Sequence, residues 1–172
     1  YMRLADNPIH SPYLITDADY VACHKDIYVT RGYDMTAPLR DGGIFVLNSP
    51  WSASDMDQIF PAELKRGIAG KHARFYNIDA SALAAKVGLG SRINMIMEVV
   101  FLKLSKAMYF DEALSALKAD VQVMYASKGD DVVRKNLAAI DATMAAIEEI
   151  KYPASWANAR STHRSPPLGY CA

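Results

Sequence analysis

The chain predicts an α/β fold: a mainly parallel sheet flanked by helices in three α/β/α layers, with a helical C-terminal half. Three observations carry this. Short apolar, β-prone runs recur through the first half, with "DYVAC" from Asp19, "IFVLN" from Ile44 and "RFYNID" from Arg74. Helical stretches separate them, and strands alternating with helices build parallel sheets. The second half then turns wholly helical, with patterns over residues 91–106, 110–126 and 130–151.

The elements follow in order. After the first strand, "MTAPLRDGG" from Met35 predicts a short helix stopped by Gly42 and Gly43. "IFVLN" is a buried-strand signal, closed by the turn "SPWS". Ser52 or Ser54 can cap the next helix, expected over residues 53–70. "RFYNID" is the next strand. "SALAAKVG" is a short helix ending at Gly88, where glycine takes the left-handed position after a helix. The last helix repeats Val133, Leu137, Ile140, Met144 and Ile147 at helical spacing, so one face is buried. No internal repeat interrupts this order.

Composition narrows the function. The length of 172 residues fits one domain with a real core, and 51% apolar content is globular. Lys plus Arg and Asp plus Glu are both 19, which gives no electrostatic case for nucleic acid or an anionic membrane. No apolar run reaches the roughly 20 residues of a membrane span. Cys23 and Cys171 form no C-x-x-C and no metal spacing, so a reducing compartment is expected. The first residue is Tyr and no signal peptide is visible, so a piece of a longer protein is expected.

In an open parallel sheet, functional groups gather at the carboxyl ends of the strands. Those ends read Cys23-His24, Asn48-Ser49 and Asn77-Ile78-Asp79. Such residues can edge a ligand, and they also simply end strands and cap helices. His24 has no Ser or Asp partner at motif spacing, so an exposed or capping role is expected. Cys23 lies in an apolar run, which favours a buried, inert thiol. "GLGSR" from Gly88 is not GxGxxG, and its glycines more simply end one helix and turn the chain, with Ser91 capping the next.

"VGLGSRINMIMEVVF" is less ordinary. Ser91, Asn94, Glu98 and Ser105 form one polar stripe on a helix otherwise made of Ile, Met, Val, Phe and Leu. A buried Asn without partners costs about 1–3 kcal/mol. Asn136, beside Val132, Val133 and Ile140, presents the same problem. Either both tie helices to loop backbone, or two carboxamides on neighbouring helices hold a polar ligand.

The strings "NPIHSPYLI", "ADYVACHK", "GGIFVLNSPWS", "LKRGIA", "FYNIDA", "VGLGSRINMIMEVVFLKLS" and "KYPASWANA" resemble the pyruvate:ferredoxin (flavodoxin) oxidoreductase family. More narrowly, residues 1–159 resemble its third, gamma-type domain, with the N-terminal part of that domain missing. Residues 160–172 are Ser/Arg/Pro-rich, match nothing in the family and are expected to be a linker or disordered tail. The resemblance implies a large enzyme that oxidatively decarboxylates pyruvate to acetyl-CoA with thiamine diphosphate and [4Fe-4S] clusters. It passes electrons to ferredoxin or flavodoxin, as a homodimer in the cytoplasm or an anaerobic organelle.

The family's thiamine and cluster sites lie in other domains, so no catalytic or metal-ligating residue is expected in this chain. The gamma-type domain helps receive coenzyme A, and Asn94 and Asn136 match asparagines in the family's "RINMIM" and "N-x-x-A-x-D" stretches. The resemblance therefore implies that these two contact coenzyme A. Glu98 departs from a frequent Gln, and "SKAMYF" replaces a stretch that usually carries Gly and Pro. The contrasting expectation is a free-standing α/β binding module for a nucleotide-like ligand, without chemistry of its own.

Overall fold

The computed structural model describes residues 15–160. Among these residues, four strands form one sheet in the order β1 (Ala18–Cys23), β2 (Leu39–Asn48), β3 (Arg74–Ile78), β4 (Glu148–Glu149). β1, β2 and β3 run parallel, and the two-residue β4 is antiparallel to β3. β2 is the spine, buried from Ile44 to Asn48. Its alternate side chains feed two cores, as the two-residue period of a strand requires.

Phe45 and Leu47 enter one core with Cys23, Met56, Phe60, Leu64, Ile68, Phe75, Ile150 and Trp156. Helices α2 (Ala53–Ile59) and α3 (Ala62–Gly70) cover that face. Ile44 and Val46 enter the other core with Ile78, Ala84, Ile96, Met97, Val100 and Ala139. That face is covered by α4 (Ala80–Lys86), α5 (Asn94–Ser105) and α7 (Asp130–Ala146). The three-layer arrangement follows. α6 (Phe110–Tyr125) lies outside it, packing Ala113, Leu117 and Val121 against the backs of α5 and α7 through Met95, Val99 and Ile140.

Four expectations change. No helix forms over 35–43. Asp34 Oδ1 accepts from the Thr36 and Ala37 N–H groups, and Leu39 N–H reaches Thr36 O, which closes one turn. β2 then begins at Leu39 beside Ala18, and the register jumps between there and the Tyr20–Ile44 pair, leaving Gly42 at φ +68°. Pairing with β1 overrides the local helix preference.

The helix over 53–70 is two helices. Phe60 precedes Pro61 and takes an extended φ/ψ of −67°/131°, because the proline ring disfavours a helical residue before it. Ser52 caps α2 through a reciprocal box with Asp55. The last helix stops at Ala146, where Ile147 turns extended and leads into β4. A four-residue helix α1 (Ile27–Thr30) follows β1 and was not expected. Residues 161–172, most of the expected tail, lie outside the described residues.

Candidate functional site

The parallel strands end together, and their polar residues stitch that edge to itself. Asn48, 4% exposed, donates to His24 O at 3.0 Å, and its Oδ1 accepts from Ala80 N–H at 2.9 Å. Ala80 is the first residue of α4, so a strand side chain satisfies one of the helix's free N–H groups. Asp79 satisfies another, accepting from Ala82 N–H at 2.8 Å. Asn77 Nδ2 donates to Ser49 O at 3.1 Å and Trp51 O at 3.3 Å, while its Oδ1 accepts from Ser49 Oγ at 2.9 Å. Both carboxamides are occupied by backbone and hydroxyl partners. The strand-end asparagines are structural ties.

Beside that edge, Ala22, Cys23, His24, Tyr28, Tyr33, Asp34 and Met35 line an open cleft of about 400 Å³. Its chemistry is subdued. Cys23 is buried, donates to Lys25 O, and burial pushes its thiol pKa up. His24 is exposed, and partial desolvation pushes its imidazole down, towards the neutral form.

The second candidate region is the turn from α4 to α5. Gly88 (φ +79°) and Gly90 (φ +64°) both adopt the left-handed backbone that side chains resist. Gly88 N–H reaches Ala85 O and Leu89 N–H reaches Ala84 O, which completes the end of α4. The Gly88 backbone lies against α7: a Cβ placed there would sit 3.0 Å from Lys135 Cε and 3.6 Å from its Nζ. Lys135 also pairs with Asp131 at 2.5 Å. Arg92 folds back, its Nε donating to Leu89 O at 3.2 Å. The glycine turn, the start of α5 and the middle of α7 are thus neighbours.

The two asparagines differ in their surroundings. α5 starts at Asn94, three residues later than expected, because Gly90 and the Arg92 N–H bond to Leu89 O hold a turn first. Ser91 therefore caps nothing, and Ile93 at the cap offers no side-chain acceptor. Asn94 is exposed at the helix start, so the expected buried asparagine is not there. What remains of the polar stripe on α5 faces outward, since Glu98 is exposed too, while Ser91 lies in the turn before the helix. Desolvation pushes the Glu98 carboxyl pKa up, with the Asp120 charge adding to it.

Asn136 does lie inside, 4% exposed, and its Nδ2 donates back to Val132 O at 2.8 Å. That bond satisfies part of the carboxamide within its own helix. Lys135 and Arg92 were not singled out from sequence. Only the contact across Gly88 distinguishes Lys135 from other surface lysines.

A family model described as pyruvate ferredoxin/flavodoxin oxidoreductase matches residues 1–146. The pyruvate:ferredoxin oxidoreductase of Moorella thermoacetica is 48% identical over 92% of this chain and 14% of its own length. The mitochondrial pyruvate dehydrogenase [NADP(+)] of Euglena gracilis is 43% identical over 98% of this chain and 9% of its own length. The chain thus spans a small part of the curated relatives it matches. A crystal structure of pyruvate oxidoreductase subunit PORC from Thermotoga maritima shares the fold, with a TM-score of 0.58 at 13% identity over 78% of this chain and 66% of that one. On the family match and these identities, the chain belongs to the pyruvate ferredoxin/flavodoxin oxidoreductase family.

Proposed function

We propose that the chain is the gamma-type domain of a pyruvate-oxidising enzyme and that it contributes to coenzyme A binding through the turn between α4 and α5. The observation that carries the first part is collinear identity with much longer relatives named as pyruvate oxidoreductases. Those relatives are named for different acceptors, ferredoxin, flavodoxin or NADP(+), while keeping this segment. This favours a role in what their names share, the oxidation of pyruvate, over a role in the choice of acceptor. Thiamine diphosphate and [4Fe-4S] clusters belong to other domains in this reading. No step of decarboxylation is assigned to residues of this chain.

Coenzyme A carries phosphates and a chain of amides, so its site needs cations and hydrogen-bonding groups on accessible backbone. The α4–α5 turn offers that combination. Asn94 is exposed at the uncapped start of α5, Lys135 lies across Gly88, and Arg92 spans the turn. Asn94 is assigned a direct hydrogen bond to the cofactor. Asn136 is assigned the same role, at the cost of its bond to Val132 O.

The test is steady-state kinetics of the complete enzyme with Asn94→Ala and Asn136→Ala at varied coenzyme A. One lost neutral hydrogen bond is worth about 0.5–1.5 kcal/mol, so KM for coenzyme A should rise about 2- to 13-fold. KM for pyruvate should not change. Unaltered coenzyme A dependence in both variants would overturn the assignment and leave Asn136 as a tie within its own helix.

A further inference from the structure

Lys135 reaches from α7 across the glycine turn at the end of α4. A Cβ on Gly88 would lie 3.4 Å from Lys135 Cδ as well as close to its Cε, so the stem of the lysine rests on the turn's backbone. The side chain keeps 38% of its surface exposed, as a lysine does when its stem is laid down and its ammonium stays in water. The stem therefore fixes where the charge stands. Past the turn the surface is open: a Cβ on Gly90 would meet nothing within 4 Å. Arg92, in the same turn, spends its Nε on Leu89 O and has no carboxylate partner among the described residues. Two cations thus stand at one accessible stretch of backbone.

Lys135 already has a counterion, and that counterion has a second cation. Asp131 Oδ2 lies 2.5 Å from Lys135 Nζ, and its Oδ1 lies 2.5 Å from Arg134 Nη2. The pairs are spaced i,i+4 and i,i+3 on α7, so all three side chains meet on one side of the helix. The Lys135 ammonium, and after it Arg134, holds the Asp131 carboxyl below the usual carboxylate range. One carboxylate needs only one cation. Were Lys135 to turn away, Asp131 would keep Arg134, and an exposed ion pair costs little to break. Lys135 is the member of the trio that can be released.

We infer that Asp131 is a resident counterion that competes with a phosphate of coenzyme A for Lys135. In the empty domain Lys135 pairs with Asp131; in the loaded one its ammonium moves to the phosphate, and Arg134 keeps Asp131 neutralised. This rests on the assignment of coenzyme A to the turn between α4 and α5. Asp131 touches no ligand in this scheme and is a positioning residue, acting on affinity through Lys135. The scheme has a sign that a structural ion pair lacks. Loss of Lys135 weakens the cofactor's binding, while loss of the Asp131 charge strengthens it. If the pair merely held α7 together, breaking it from either side would act in the same direction.

Steady-state kinetics of the complete enzyme at low salt tests it, with coenzyme A and with dephospho-coenzyme A, which lacks the 3′-phosphate. Lys135→Met keeps a stem over Gly88 and should raise KM for coenzyme A about 5- to 13-fold, between an exposed ion pair and a hydrogen bond to a charged group. Asp131→Asn should lower it about 1.5- to 5-fold, the worth of one exposed ion pair. KM for pyruvate and kcat should hold in both. Lys118→Met, which removes a cation paired with Asp141 between α6 and α7, controls for the loss of one charge and should change nothing. An effect of Lys135→Met confined to coenzyme A assigns the 3′-phosphate, and an equal effect on both cofactors assigns the diphosphate; either supports the inference. A shift in the same direction for Lys135→Met and Asp131→Asn, an equal shift for Lys118→Met, or no shift for either member of the pair overturns it. If Asn94→Ala alone raises KM for coenzyme A, only the counterion exchange fails; if no variant moves it, the assignment of coenzyme A to this turn fails as well.

Discussion

Replacing Asn48 with alanine should damage the fold more than replacing either asparagine assigned to the cofactor. The variant removes the acceptor of the Ala80 N–H, a bond of 2.9 Å to a fully buried residue. Leaving such a donor unpaired costs about 1–3 kcal/mol. It also removes the 3.0 Å bond to His24 O, worth about 0.5–1.5 kcal/mol, although the exposed His24 loop admits water in its place. The 3.4 Å contact to Ser81 Oγ adds little. The sum is about 2–4 kcal/mol. With a urea slope of about 2 kcal/mol/M, the unfolding midpoint of the chain should fall by about 1–2 M. Tryptophan fluorescence reports it, since Trp156 is buried in the first core. Asn94→Ala, at an exposed position, should stay within about 0.5 kcal/mol of the parent. A midpoint shift below about 0.3 M for Asn48→Ala, at unchanged slope, would refute the claim that this side chain stitches β2 to α4.

Gly67→Ala should be severely destabilising in thermal melts, because its Cβ would lie 2.0 Å from Thr36 Oγ1, while Gly70→Ala in the same helix meets open space. Gly88→Ala should cost more than Gly90→Ala: both pay about 1–2 kcal/mol for left-handed backbone, and only Gly88 also presses on Lys135. Asp57 is held below the ordinary carboxylate range by the Trp156 indole N–H and then by Lys65. Its stabilisation is therefore full above an unfolded value of about 3.9 and lost as pH falls through the lower folded value. Acid titration of the melting temperature should show the parent losing more between those values than Asp57→Asn; parallel curves would contradict it. The chain alone should not reduce a viologen dye with pyruvate, and turnover above a protein-free control would overturn the assignment of that chemistry to other domains.

Most of the architecture was legible where one residue type decides the backbone. Ile44 to Asn48 read as a buried strand because nothing polar interrupts it before Asn48, and Gly88 marked the end of α4 because only glycine sits easily at φ +79°. Pro61 could have divided the helix over 53–70, since the restriction on Phe60 is local. The region from Met35 to Gly43 was not legible. Its helix formers and the Asp34 cap favour a turn, and only the pairing of Leu39 with Ala18, twenty-one residues earlier in sequence, makes it a strand. The site shows the same division. The polar stripe of α5 was visible from spacing, but its direction was not: Asn94 faces out because the helix starts there, while Asn136 is buried. The nearness of Lys135 to the glycine turn is a tertiary contact with no local signature.

The first core also has a timing consequence. Its strands and helices are made early, yet one wall of it is Ile150 and Trp156, with Tyr152 stacked on the indole and donating to Ala73 O at 2.8 Å. Arg66 reaches on to Ala159 O. The family match ends at residue 146, before any of these contacts. During synthesis the sheet must therefore wait, with Phe60 and Phe75 uncovered, until the last described residues emerge and close over it. A chain released after Ala146 would carry nearly the whole family signature and still present an open aromatic face to its neighbours, the exposure that drives nascent chains to aggregate.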